Sequence, residues 1–188
     1  MGWGDVDDSV EQDGEVGRLR AGDPLSWETL YRRVYPSMLA YARRRVATTE
    51  EAQDAVSEAL TRTVAGIDRL DATGATPESW LFGVLRHVVL DRQRTSYRHR
   101  DLPARREIAD VDPVESVVLG EEHDTVRSAF GRLPERDREL LELRVVAGLS
   151  AEEVATVLDM RPGAVRTAQS RALERLRGLL LQVEQVGS

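Results

Sequence analysis

Arginine and hydroxyl side chains are concentrated in one stretch near the C-terminal end of the sequence. These side chains are Arg161, Arg166, Thr167, Ser170 and Arg171. Guanidinium groups bind phosphate and the edge of guanine, and hydroxyls bind phosphate or several base edges. The stretch therefore carries the chemistry of a surface that binds a nucleic-acid duplex.

Two short helices separated by a sharp break would have to position these groups. Ser150 and Glu153 have the spacing of a capping box, which starts a first helix. Asp159 lies in the following turn, and Pro162 is a favourable first residue for a second helix. Opposite the arginines, one side of the second helix is apolar, with Val165, Ala168, Ala172, Leu176 and Leu179. The pattern predicts a helix-turn-helix; the alternative is an ordinary helical hairpin with a solvated arginine face.

The composition argues against several other kinds of site. The 188-residue chain has no cysteine, and its three histidines are scattered, so we expect neither a disulfide nor a metal site. No phosphate-binding loop, nucleophile motif or catalytic pair of carboxylates is recognisable, so we expect no enzyme and no cofactor. The acidic N-terminus lacks the apolar core of a signal peptide, and no apolar run approaches the roughly 18 residues of a membrane span. These features predict a cytoplasmic protein.

Charge and helix-forming residues divide the chain into segments. The formal net charge is −7, but residues 1–23 and 101–123 hold the acidic surplus, while residues 24–100 are basic. Aromatic residues make up only 5% of the chain, and Ala, Leu, Arg and Glu favour helices. We therefore expect an all-α protein with two small helical domains. The predicted order is a disordered acidic extension (1–23), a first domain (24–100), a flexible acidic linker (101–123), a helix-turn-helix domain (124–181) and a flexible tail (182–188).

Each predicted domain contains several helices. In the first domain, Ser26 is the expected cap of a helix in which Pro36 either introduces a kink or starts a new turn. A second helix would follow Thr48 or Thr49, and a third would start at Pro77 after a loop. In the second domain, Leu133-Pro134 opens a helix that Gly148 ends in a left-handed conformation.

Three segments in this order carry a resemblance to a known family: "WETLYRRVYPSMLAYARRRVATTEEAQDAVSEALTR", "PESWLFGVLRHVVLDRQR" and, most specifically, "LPERDRELLELRVVAGLSAEEVA". The chain resembles the extracytoplasmic-function (ECF) class of bacterial RNA polymerase sigma factors over about residues 26–180, apart from the linker. The resemblance implies an alternative sigma factor that binds core RNA polymerase and directs promoter-specific initiation, with no catalytic activity of its own.

For the first domain, the resemblance implies binding to the largest catalytic subunit of core polymerase and opening of the promoter minus-ten element. Asp54 and Glu58 match acidic positions that grip the polymerase; a solvated helix face is the alternative. The loop from Asp71 through Thr73 to Thr76 matches a segment that captures an unstacked base. The helix after this loop would contact the duplex and its phosphates with Arg86, His87, Asp91, Arg94 and Arg98.

For the second domain, the resemblance implies recognition of the minus-thirty-five element by Arg161, Arg166, Thr167, Ser170 and Arg171. The acidic linker would thread basic channels of the polymerase, and an anti-sigma factor is a possible partner. The sequence departs from common family patterns, with His87 where Asn is frequent and Asp159 where Gly is frequent. Arg166-Thr167-Ala168 also stands where many relatives have Lys-Ser-Arg, so the promoter sequence cannot be copied from a relative.

A stand-alone helix-turn-helix regulator is the alternative function. Such a protein binds duplex DNA without polymerase and usually dimerises to read a palindrome. The sequence has no additional dimerisation helix after the helix-turn-helix pattern. Retention of core polymerase would distinguish a sigma factor from this alternative.

Overall fold

The protein is described by a computed structural model over residues 14–70, 75–99 and 121–186. Throughout these ranges, all regular secondary structure is helical. The chain divides into two compact units, Met1–Asp101 (unit 1) and Leu102–Ser188 (unit 2). The expected all-α architecture with two helical domains is confirmed.

Unit 1 is built from four helices and a short 3₁₀ turn within the described residues. Residues 14–20 form α1, and α2 spans Pro24–Arg43. Helix α3 spans Thr49–Gly66 and continues into the 3₁₀ turn Ile67–Arg69, and α4 spans Pro77–His99. Burial of large apolar side chains contributes about 1.5–3 kcal/mol each, so these residues hold the helices together. The fully buried set includes Leu30, Met38, Val56, Leu70, Leu81, Phe82 and Leu85.

Helix α1 shows that the predicted disorder of residues 1–23 is wrong for residues 14–20. Leu19 is 1% exposed and Val16 is also buried. The Leu19 carbonyl accepts a 2.9 Å hydrogen bond from Trp27 Nε1. A helix this short is marginal in isolation, so packing against the rest of unit 1 accounts for its formation. Residues 1–13 lie outside the described residues.

The N-cap of helix α2 lies three residues before the predicted one. Asp23, rather than Ser26, is the N-cap, because its Oδ2 accepts hydrogen bonds from Ser26 N at 3.0 Å and Ser26 Oγ at 2.6 Å. Pro24 occupies the first turn, where its missing N–H costs little. The helix continues through Pro36, and Thr48 caps α3 as one of the two predicted alternatives.

Unit 2 contains the predicted helix-turn-helix with two preceding helices. These are α5, Glu121–Gly131, and α6, Glu135–Leu141, which passes into a π-helical turn at Glu142–Val146. The helix-turn-helix consists of α7, Ala151–Leu158, and α8, Pro162–Val186. The core of unit 2 includes Leu133, Leu140, Leu143, Val154 and Val165.

Two predicted boundaries of unit 2 are wrong. Helix α5 begins at Glu121, within the stretch assigned to the linker. Helix α8 continues to Val186, beyond the predicted start of the flexible tail at residue 182, because no glycine or proline interrupts residues 179–186. The rest of the predicted linker, residues 101–120, and residues 187–188 lie outside the described residues.

Candidate nucleic-acid interface

The two helices of the helix-turn-helix are joined by well-defined local interactions. Ser150 N donates to Glu153 Oε2 at 2.6 Å, and Glu153 N donates to Ser150 Oγ at 3.1 Å, so the predicted capping box is present. Asp159 ends α7 in the left-handed region, at φ 54° and ψ 54°. Gly148 adopts the predicted left-handed conformation before α7, at φ 71°. These turns set the points at which α7 and α8 begin.

Small and branched side chains fix the packing of α7 against α8. Val165 and Ala172 are fully buried, and Ala155 is 5% exposed. Arg144 adds polar contacts, because its Nε donates to Gln169 Oε1 at 2.9 Å and its Nη1 donates to the Leu149 carbonyl. Helix α8 is therefore held from both its apolar side and the segment before α7, which gives its outer face a defined orientation within unit 2.

The outer face of α8 carries four of the five residues predicted to bind the minus-thirty-five element, and the fifth, Arg161, lies immediately before the helix. Each of these residues is exposed: Arg161, Arg166, Thr167, Ser170 and Arg171. Thr167 Oγ1 donates to the Gly163 carbonyl at 3.0 Å, which leaves the hydroxyl oxygen able to accept a further hydrogen bond. Across the described residues, nothing forms a side-chain hydrogen bond or ion pair with Arg161, Ser170 or Arg171. Arg166, Thr167, Ser170 and Arg171 therefore form one accessible basic surface on α8, with Arg161 exposed just before its first residue.

Sequence inspection missed one acidic residue at this surface. Glu152, in the first turn of α7, forms an ion pair with Arg166, and both side chains are 60% exposed. Ion pairs as exposed as this one contribute about 0–1 kcal/mol, so Arg166 can exchange Glu152 for another partner at little cost. No periodic pattern links residues 152 and 166, since their contact depends on how α7 and α8 pack.

In unit 1, the start of α4 is defined by Thr76 and Ser79. Thr76 Oγ1 accepts from Ser79 N at 3.3 Å, and Ser79 Oγ donates to the Thr76 carbonyl at 3.0 Å. Thr76, which is predicted to contact a captured base, lies at the helix start, where its hydroxyl binds the first turn. The other two loop residues of that prediction, Asp71 and Thr73, lie outside the described residues.

Further along α4, three of the predicted minus-ten residues share an exposed face. His87 Nδ1 lies 2.7 Å from the Gly83 carbonyl, so Nδ1 carries the proton and Nε2 of the neutral ring is an acceptor. Asp91 and Arg94 form an exposed ion pair at 3.5 Å. Arg86 is half-buried and already interacts within the protein. The side chain of Arg98 lies outside the described part of the structure.

The two predicted polymerase-binding residues on α3 have different surroundings. Asp54 is exposed, and no described side chain binds its carboxylate. Glu58 binds Arg92 of α4 at 2.8 Å and Arg62 of its own helix at 2.5 Å. The hydrogen bond from Arg92, together with the charge of Arg62, lowers the pKa of Glu58 below its ordinary value of 4.5. Glu58 thus connects α3 to α4, whereas Asp54 is available to a partner.

The residues that the structure describes contain neither a metal site nor a membrane span. In these ranges, His, Asp and Glu side chains form no group that could hold a metal ion. Over the same ranges, none of the helices combines the length and apolar character needed to cross a bilayer. The accessible basic surface of α8 and the polar face of α4 therefore stand as the main candidates for ligand binding.

Solved structures with the same fold include CnrH and the sigma factor RpoE. A structure of CnrH in complex with the cytosolic domain of CnrY is 21% identical and has a TM-score of 0.60 over 90% of this chain and 96% of that chain. The sigma factor RpoE of Bartonella quintana, in complex with the anti-sigma factor NepR, is 24% identical and has a TM-score of 0.67. That match covers 81% of this chain and 95% of the RpoE chain.

Family models match both units in the expected order. Residues 30–99 match Sigma-70 region 2, and residues 123–176 match Sigma-70, region 4. The two matches together account for both helical units, so the alternative of a stand-alone helix-turn-helix regulator is not favoured. Each candidate surface now falls within a recognised sigma-factor region.

Characterised relatives align over nearly the whole chain. The ECF RNA polymerase sigma factor ShbA of Streptomyces griseus subsp. griseus is 34% identical across 89% of this chain and 94% of its own length. The ECF RNA polymerase sigma factor SigD of Mycobacterium tuberculosis is also 34% identical, across 88% of this chain and 82% of its own length. With both regions present and this similarity extending through both units, the chain belongs to the ECF family of RNA polymerase sigma factors, alternative sigma factors that bind core polymerase and direct promoter-specific transcription initiation.

Proposed function

We propose that the two units divide promoter recognition, with unit 1 binding core polymerase and opening the minus-ten element and unit 2 docking on the minus-thirty-five duplex. The observation that carries this proposal is the exposed arginine and hydroxyl face of α8 on a firmly packed helix-turn-helix. The chain has no catalytic activity of its own and acts in the cytoplasm, where the polymerase supplies the chemistry.

At the minus-thirty-five element, α8 lies in the major groove with its N-terminal half towards the bases. Arg161, immediately before the helix, binds a phosphate, and Arg171 adds a second cationic contact. Arg166 and Ser170 contact base edges, and Thr167 supports them from the neighbouring position. Arg166 exchanges Glu152 for DNA, which is favourable because a bidentate contact with guanine is worth about 1–3 kcal/mol of discrimination.

At the minus-ten element, the segment around Asp71 and Thr73 receives an unstacked base, and Thr76 fixes the start of α4 beside it. His87 and Arg94 contact the duplex next to the opened bases, with Asp91 orienting Arg94 through their ion pair. Arg86 and Arg98 belong to the same contact region. Opening a base pair costs a few kcal/mol, so rigid support beside the opened base favours the reaction.

For core polymerase, we assign the direct contact to Asp54. Its exposed carboxylate suits a basic or hydrogen-bonding surface on the largest subunit. Glu58 lies one turn further along α3 and contributes mainly by holding Arg92, and through it α4, in place. We separate the roles of Asp54 and Glu58 by the partners that each carboxylate has in the structure, not by the spacing of the two residues.

An anti-sigma factor is a further proposed partner. The RpoE structure with a similar fold was determined in complex with the anti-sigma factor NepR. A protein that covers the exposed α3 or α8 faces would prevent binding to polymerase or promoter. Co-purification of the chain from its own cells, followed by competition with core polymerase, tests this partner.

The central proposal is tested by run-off transcription with purified core polymerase and a library of genomic promoter fragments. We expect discrete transcripts that depend on the added protein, and retention of core polymerase on the immobilised chain. Tight binding to duplex DNA without polymerase, combined with no initiation at any fragment, would instead support a stand-alone regulator.

A further inference from the structure

Arg33 of α2 connects three parts of unit 1 that are far apart in sequence. Its Nη2 atom lies 2.9 Å from Glu15 Oε1 of α1 and also forms an ion pair with Glu78 Oε1 of α4. The side chains are partly protected from solvent, with exposures of 45% for Arg33, 18% for Glu15 and 24% for Glu78. One guanidinium nitrogen therefore neutralises two neighbouring carboxylates.

Helix α1 is anchored well enough to hold Glu15 at this position. Leu19 is buried, and its carbonyl accepts the hydrogen bond from Trp27 Nε1. Arg18 Nε also donates to Ser26 Oγ at 3.3 Å, close to the cap of α2. These contacts attach α1 to the beginning of α2, the helix that also carries Arg33. The cluster is consequently part of the folded unit rather than a contact made by a loose tail.

Glu78 gives this cluster its connection with function. It lies in the first turn of α4, two residues after Thr76, which forms the start of the helix. The segment immediately before α4 is the one proposed to receive the unstacked minus-ten base. A residue that holds Glu78 in place therefore also restrains Thr76, where that segment meets α4.

We propose that Arg33 is a positioning residue for promoter opening, which holds α1 and the start of α4 together through Glu15 and Glu78. This inference rests on the proposed function of unit 1 at the minus-ten element. Without the cation, the two carboxylates repel each other, and α1 and the start of α4 separate. Arg33 itself contacts no base; it acts through the position of α4.

The test compares Arg33→Gln with Arg32→Gln in the full-length protein bound to core polymerase. Arg32 is a matched control, because its partner Glu28 lies on the same helix and both side chains are largely exposed. Opening is measured by permanganate reactivity of minus-ten thymines on a duplex promoter and by transcript yield on the same promoter premelted at that element. On the duplex promoter, we expect Arg33→Gln to reduce permanganate reactivity about three- to tenfold, the effect of losing two partly exposed ion pairs. On the premelted template, we expect its transcript yield to match that of the unmodified protein.

Two further variants distinguish charge from general loss of packing. Arg33→Lys should restore most of the opening, because an ammonium group can also neutralise both carboxylates. Glu15→Gln combined with Arg33→Gln should open the duplex better than Arg33→Gln alone, since it removes the repulsion. Near-equal behaviour of Arg33→Gln and Arg32→Gln on the duplex would overturn the inference.

An equal loss on duplex and premelted templates would also overturn the inference, because it would indicate a defect in core binding or folding. Failure of the unmodified protein to initiate on either template would remove the proposed function itself. Normal initiation by the unmodified protein with no effect of Arg33→Gln would remove only the role of Arg33.

Discussion

Individual charged residues in this protein differ in how many side-chain partners they have within the fold. Arg161 and Arg171 have no side-chain partner among the described residues, and Arg166 has a single exposed partner, Glu152. By contrast, Glu58 is held by two arginines. Groups with weak or absent partners can bind DNA or polymerase without breaking the fold, whereas substitution of Glu58 also removes an ion pair between α3 and α4.

Substitution of Arg166 should separate promoter reading from polymerase binding. Arg166→Ala removes the proposed base contact, which corresponds to about 1–3 kcal/mol of discrimination, or about a five- to hundredfold loss of transcription from a promoter that depends on its minus-thirty-five element. Affinity for core polymerase, measured by fluorescence anisotropy, should stay unchanged. A loss of core binding would show that α8 faces the polymerase at this position.

The Glu58 carboxyl group should give unit 1 a measurable acid sensitivity. Its folded pKa lies below the ordinary value of 4.5, so the ionised group favours the folded state. This contribution is complete above pH 4.5 and is lost as the pH falls through the lower, folded pKa. Chemical unfolding between pH 3 and 7 measures the effect. The free energy of unfolding of Glu58→Gln should fall less on acidification than that of the unmodified protein. Glu50→Gln, on an exposed part of α3, is the control and should follow the unmodified protein.

Turns and helix starts decide how accurately each element presents its residues. The Ser150 capping box, the left-handed Gly148 and the helix start at Pro77 could all be predicted, because each depends on residues adjacent in sequence. Asp23 as the cap of α2 was missed, since both Asp23 and Ser26 are good capping residues and only the hydrogen bonds distinguish them.

Elements that depend on tertiary packing were the least predictable. Helix α1 has just two buried apolar residues, Val16 and Leu19, within an acidic and glycine-containing segment. Such a short pattern cannot be distinguished from a loose tail until its packing partner is known. The same reason explains why the contacts Glu152–Arg166 and Arg33–Glu78 were not foreseen, although the exposed face of α8 was.

The turn between α7 and α8 carries a backbone conformation that glycine adopts more easily than aspartate. Asp159→Gly should raise the free energy of unfolding of unit 2 by about 0.5–1 kcal/mol. The left-handed conformation costs a residue with a Cβ atom roughly 1–2 kcal/mol, and the greater backbone entropy of glycine in the unfolded chain offsets about 0.4–1 kcal/mol of that gain. Asp159→Val should have the opposite effect, since a β-branched side chain is poorly tolerated there. Denaturant unfolding monitored by circular dichroism measures both changes, and equal stability of the Gly and Val variants would contradict this account.

At the scale of the whole molecule, we propose that core polymerase binding lies in unit 1 and recognition of the minus-thirty-five element in unit 2. Asp54→Arg places a positive charge on the exposed face of α3 and should weaken core polymerase binding by at least about tenfold, the effect of reversing one close charge contact. The matched control is Asp68→Arg, the same change of charge at another exposed aspartate, in the 3₁₀ turn after α3. Pull-down titration with core polymerase measures both variants, and indistinguishable affinities would argue against an Asp54 contact.

Each unit also buries its own apolar interior, with Leu30, Met38 and Phe82 in unit 1 and Leu140, Leu143 and Val165 in unit 2. A homologue's C-terminal half can consequently be grafted after residue 101 without repacking either interior. On the proposed division of roles, recombination between family members would yield chimaeras that combine one parent's opening of the minus-ten element with the other's minus-thirty-five preference. A new regulon would then require one genetic exchange instead of gradual change at many positions.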